Sequence, residues 1–216
     1  MEERNSKIQK AASAGIAVNL ILTAAKICAG FLGKSTAMLA DGLHSLSDLI
    51  GDAIVIVSIW IGRLKPLHGK EKTIEKWASL IVSAILIGVA VELMLEGIES
   101  IREILEGQIA PKPGIITLIV AAISILFQEA LYRYTIKIGK EVGSPAVTAN
   151  AWHHRADGIS SLGVLLGAGG AIALGNKWTV LDPLVCCVLS IVIAVIAIKT
   201  IAGMQHHHHH HEHDNS

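Results

Sequence analysis

The chain has 216 residues, 52% of them hydrophobic and only 17% charged, with no formal net charge and a mean hydropathy of +0.56. Soluble domains usually carry about a quarter charged residues, so an ordinary soluble fold is excluded. No basic cluster interleaved with aromatics occurs, which argues against nucleic acid as a partner.

A membrane-crossing helix needs roughly 20 mostly apolar residues. Six segments qualify, at about 8–32, 36–62, 73–105, 114–140, 146–174 and 179–203. The first follows a charged start, MEERNSKIQK, and has no clean cleavage site, so it reads as a retained helix, not a signal peptide. Gly33-Lys34-Ser35 turns the chain into the second segment, and residues 62–69, with Pro66, separate the second from the third. The stretch 107–114, with Pro111 and Pro113, follows the third; Gly143-Ser144-Pro145 and Gly175-Asn176-Lys177 bound the fifth. In lipid the backbone must satisfy its own hydrogen bonds, so these segments are expected to be helices. The fold class is therefore an all-α membrane protein with six transmembrane helices. Residues 1–204 form the transmembrane domain and 205–216 a His-rich tail.

Twelve Lys and Arg residues fall at one set of segment ends and four at the other. The positive-inside bias then puts both termini in the cytoplasm. Seven small residues in the fifth segment, Gly158, Ser160, Ser161, Gly163, Gly167, Gly169 and Gly170, would let neighbouring helices approach closely. Cys28, Cys186 and Cys187 form no CxxC pair and read as small packing residues.

Ionisable groups at membrane depth are costly and mark functional sites. The second segment carries DGLHSLSDLIGD, in which Asp41, His44, Asp48 and Asp52 are spaced by 3, 4 and 4 along one helix face. The fifth carries TANAWHHRADGISS, in which Asn150, His153 and Asp157 again share a face. Both segments thus contain His-x-x-x-Asp. Facing each other, they would offer two imidazoles and two carboxylates, a set that suits tetrahedral Zn²⁺. Two carboxylates would also offset the ion's double charge. The competing reading is a set of structural interhelical hydrogen bonds. Asp41 and Asp52 extend the stripe as an access path or as structural carboxylates, and Asn150 reads as an interhelical hydrogen-bonder. His154 is expected to face a neighbour or water. Glu92 and Glu129 are expected to be buried, in a structural ion pair with Lys26 or, alternatively, in a proton relay.

GKSTAMLADGLHSLSD and GSPAVTANAWHHRADGISS resemble the cation diffusion facilitator family over about residues 8–204, and ALYRYTIKIGKEVGSPA is similar to its magnetosome-associated branch. The resemblance implies a proton-coupled exporter of divalent metal that works as a homodimer in a cell membrane, here a prokaryotic cytoplasmic membrane. Its metal site falls on His44, Asp48, His153 and Asp157. A His/Asp set on both helices resembles the zinc-transporting members, with Fe²⁺ or Mn²⁺ as the alternative cargo. Two departures stand out. The second loop offers only Leu67-His68-Gly69-Lys70 where members often carry a His-rich stretch, and the chain stops after the sixth segment, where most continue into a cytoplasmic domain. The tail QHHHHHHEHDNS reads equally as an affinity tag or a natural metal-collecting tail, disordered either way.

The expected mechanism is alternating access, with protons competing for the metal's ligands. No GxxxxGK[ST] motif appears, so no ATP hydrolysis is expected. No HExxH and no spare carboxylate placed as a base appear, so the chain is expected not to be an enzyme. A non-transporting metal-binding membrane scaffold is the remaining alternative.

Overall fold

The computed structural model describes residues 2–62, 71–108, 112–175 and 178–209. They form six helices: α1 (Glu2–Leu32), α2 (Thr36–Gly62), α3 (Glu71–Leu105), α4 (Ile115–Glu141), α5 (Pro145–Ala173) and α6 (Leu181–His209). The second-loop residues Arg63, Lys65, Pro66, His68 and Lys70 lie outside the described residues, as do Pro111, Asn176, Lys177 and 210–216. The sixth helix runs further than expected. Residues 205–209, read as disordered tail, continue α6 through His209, since extending a formed helix by a residue adds a hydrogen bond without a new nucleation cost.

The turns follow from local chemistry. Lys34 adopts φ 49° at the end of α1. Ser35 N–H then donates to Gly30 C=O at 3.1 Å and Lys34 N–H to Phe31 C=O at 3.3 Å, the paired bonds of a left-handed helix end. Gly143 repeats this after α4 with φ 61°, a conformation glycine adopts without a Cβ clash. Ser144 then caps α5, its Oγ accepting from Val147 N–H at 3.4 Å, with Pro145 opening the helix.

Packing places α2 at the centre, against α1, α3, α5 and α6, while α4 lies chiefly on α5 and α3 on α6. The apolar core is built from small side chains, Ala29, Ala37, Ala40, Ala90 and Ala121, with Met38, Leu93, Val164, Leu189 and Ile193. Small residues let backbones come close where lipid supplies no hydrophobic drive between helices. On α5 this closeness is required: a Cβ on Gly167 would stand 2.7 Å from Val185 Cγ2 of α6.

The molecule is turned inside out relative to a soluble bundle. Leu20, Ile21, Phe31, Leu126, Ile159, Leu166 and Val188 are exposed, while Lys26, Asp41, Gln128, Thr135, Asp157 and Ser161 are buried. So much exposed apolar surface suits lipid and not water. Among the described residues, Ser6–Leu32, Ile115–Glu141, Asn150–Ala173 and Leu181–Lys199 are long and apolar enough to cross a membrane.

Candidate metal centre

The two His-x-x-x-Asp helices face each other. His44 and Asp48 of α2 stand one turn apart, with His44 Nε2 3.8 Å from Asp48 Oδ2. From α5, His153 Nε2 lies 3.7 Å from the same Asp48 oxygen and 3.8 Å from Asp157 Oδ2. His44, Asp48 and Asp157 each offer a donor atom within 4.8 Å of one another, and His153 joins them from the more open side. Four donors about 2.1 Å from a tetrahedral ion would stand roughly 3.4 Å apart. The cluster is thus a few tenths of an ångström wider than such a shell at its closest edges.

Burial is graded across the cluster. The side chain of Asp157 is 4% exposed and that of His44 10%, but Asp48 is 21% and His153 39% exposed. The centre therefore has a deep wall and an open side. The deep wall carries unmet polar capacity, because Asp157 Oδ1 and His44 Nδ1 are buried without a hydrogen-bond partner. Two neighbouring carboxylates with two imidazoles form a donor set for a small dication, and a dication would supply the charge that offsets both acids.

Asp41 does not line an open path. It is fully buried one turn before His44, and its Oδ2 pairs with Lys26 Nζ at 2.9 Å. Ser160 and Ser161 of α5 donate to its two oxygens at 2.6 and 2.8 Å, and Lys26 donates to Ser45 at 3.1 Å. This corrects the expected partnership of Lys26, because its place on α1 aims the ammonium at α2. Glu92 and Glu129 are not buried as expected. Glu92 lies on the exposed face of α3, and the partly exposed Glu129 pairs with Arg133 at 2.8 Å and Arg155 at 3.8 Å. Arg155 covers the Tyr132 ring, 4.4 Å from its centroid, and so turns away from the centre.

Contrary to expectation, Asn150 is exposed and makes no interhelical bond among the described residues; its Nδ2 lies 3.4 Å from His154 Nε2 on its own helix. His154 is buried against α1, where a Cβ on Gly15 would stand 3.1 Å from Nε2. The side chain of Asp52 lies outside the described residues.

Two supporting groups escaped the sequence reading. Gln128 of α4 is buried and donates to Asp157 Oδ2 at 3.4 Å; an amide inside ILFQEAL was the available signal. Asp182 at the start of α6 accepts from Ser35 Oγ at 2.6 Å, Thr36 Oγ1 at 3.1 Å and Ala37 N–H at 3.3 Å. It thereby satisfies the first turn of α2, whose free N–H groups favour a carboxylate.

Comparison with known proteins shows the family. The family model described as the cation efflux transmembrane domain matches residues 12–203. The manganese efflux system protein MneP of Bacillus subtilis is 36% identical over 81% of this chain and 58% of its own length. Metal tolerance protein C1 of Arabidopsis thaliana is 34% identical over 86% of this chain and 42% of its own. The magnetosome protein MamM of Paramagnetospirillum magneticum is 33% identical over 79% and 53%. The chain thus spans about half the length of these curated relatives. It is a multi-pass cell-membrane protein and belongs to the cation efflux, or cation diffusion facilitator, family.

Proposed function

We propose that this chain moves a divalent metal ion, zinc, out of the cytoplasm in exchange for protons, with His44, Asp48, His153 and Asp157 as the ion's ligands. The observation that carries this reading is the convergence of the four donors from α2 and α5, each 3.7–3.8 Å from a neighbour. The graded burial supports it too, since an ion can be passed in from the open side and held against Asp157. Both termini lie in the cytoplasm in this reading and the protein works as a homodimer, as the family resemblance implies.

Metal needs neutral His and ionised Asp, so protons and metal compete for the same lone pairs. Lower pH on one side therefore favours release there, and an inward proton gradient drives export. No bond is made or broken in the cargo, so the proposed activity is transport and not enzymatic conversion.

The test is zinc flux into proteoliposomes under an imposed pH gradient, with His206–His211 and His213 changed to Ser to remove tail binding. Gradient-dependent flux that falls to background in Asp157→Ala is expected. Equal flux in both proteins would reject the ligand assignment. Zinc binding without flux would favour a non-transporting scaffold.

Manganese is the second reading, favoured by the 36% identical relative named as a manganese efflux protein. Imidazole ligands suit zinc, whereas manganese prefers carboxylate, carbonyl and water. Competition of Mn²⁺ against Zn²⁺ flux in the same vesicles separates the two, and the same assay with Fe²⁺ covers the magnetosome-like alternative.

A further inference from the structure

Gln128 is a polar side chain in an apolar setting. It sits in the apolar run of α4 and is 2% exposed. Its Nε2 donates to Asp157 Oδ2 at 3.4 Å and to Asn19 Oδ1 of α1 at 3.1 Å. Its Oε1 is buried with no hydrogen-bond partner. A buried acceptor left unsatisfied is destabilising, so an amide that only filled space here would be a poor choice. Packing therefore does not explain the amide.

Its orientation is informative. The two hydrogens of Nε2 serve two acceptors, one on α5 and one on α1. Flipping the amide would set Oε1 against the carboxylate oxygen and lose that bond. Asn19 thus holds the donor end of Gln128 toward Asp157. Gly158, next to Asp157 in the chain, leaves the Gln128 stem at ordinary contact distance, 3.4 Å from where a Cβ would stand. The other oxygen of Asp157, Oδ1, has no hydrogen-bond partner, so the carboxylate is steadied through one oxygen only.

We propose that Gln128 is a positioning residue for Asp157, held by Asn19, and that this amide pair presets the carboxylate for the divalent cation. The inference rests on the reading of His44, Asp48, His153 and Asp157 as the ligand set. Groups that orient a metal ligand typically contribute about 10–100-fold in metal affinity.

The experiment is a Zn²⁺ titration of the purified full chain in detergent, with the tail histidines changed to Ser in every sample. Metal-free melting temperature is recorded for each. Gln128→Leu is expected to weaken zinc binding by about 10–100-fold with only a small change in metal-free melting temperature, because relief of the unpaired Oε1 is set against the lost bonds to Asn19 and Asp157. Asn19→Leu is expected to weaken binding by less, since Gln128 remains. Unchanged zinc affinity in Gln128→Leu overturns the inference. So does a loss of affinity that comes with a large fall in metal-free melting temperature, which is what a packing residue would give. Asp157→Ala is titrated alongside. If it binds zinc as tightly as the wild type, the reading of the centre itself fails and this inference with it.

Discussion

Two polar clusters join α2 to α5 about one turn apart, and they are built on opposite principles. In the first, buried Asp41 meets buried Lys26 at 2.9 Å and takes hydrogen bonds from half-buried Ser160 and buried Ser161. Its charges cancel and its acceptors are filled. In the second, His44, Asp48, His153 and Asp157 stand 3.7–3.8 Å apart at their closest, with one side open and buried polar atoms unmatched. A closed ion pair neutralises itself and has no use for a further ion. The open cluster holds two acids and no Lys or Arg among its four members. On the proposed reading, the closed cluster belongs to the scaffold and the open one is available to cargo, a distinction that burial alone does not make.

Breaking the closed cluster should have the largest effect on metal-free stability. Lys26→Met leaves Asp41 buried without its counterion, and removal of one partner of a buried pair costs about 3–5 kcal/mol. A sharp fall in melting temperature is expected. The double change Lys26→Met with Asp41→Leu should recover most of it, because an apolar pair of similar volume is often as stable as the ion pair. A silent Lys26→Met would remove the scaffold role of this cluster.

The cap on α2 comes next. Asp182→Ala strips the acceptor shared by Ser35, Thr36 and Ala37 and should cost about 1–3 kcal/mol. Thermal unfolding with and without the substitution checks this.

The smallest stability effect is expected at the open centre. Asp48 and Asp157 offer carboxylate oxygens within 4.8 Å of each other, and like charges that close disfavour one another. Asp48→Asn should therefore change metal-free stability by less than about 1 kcal/mol, or raise it, in keeping with a residue retained for function. A large destabilisation would instead make the centre part of the scaffold. The sign with pH is also fixed. Protons displace metal from His and Asp, so apparent zinc affinity should fall as pH is lowered, as a titration series would record.

Much of this was legible in the sequence, for identifiable reasons. The four-residue spacing of His44 with Asp48 and of His153 with Asp157 sets a shared helix face whatever the tertiary structure. The turn at Lys34 and the cap at Ser144 are local effects, readable from a few residues. Which charges pair across helices was not legible, because that depends on how α1 is rotated and shifted against α2. Lys26 therefore lacked its true partner, and Glu129 was not matched to Arg133, although the two sit at i and i+4. Gln128 and Asn19 give no such signal, because a lone amide in an apolar run carries no charge to mark it. Asp182 stands close to a turn, and its role depends on a helix 145 residues away in the chain.

The most direct test of the central claim is X-ray absorption at the zinc edge on the protein loaded with one equivalent of Zn²⁺, its tail histidines changed to Ser. The account requires four nitrogen and oxygen neighbours at about 2.0–2.2 Å, two of them with imidazole scattering. Sulfur at about 2.3 Å, a six-coordinate shell or no bound zinc would contradict it.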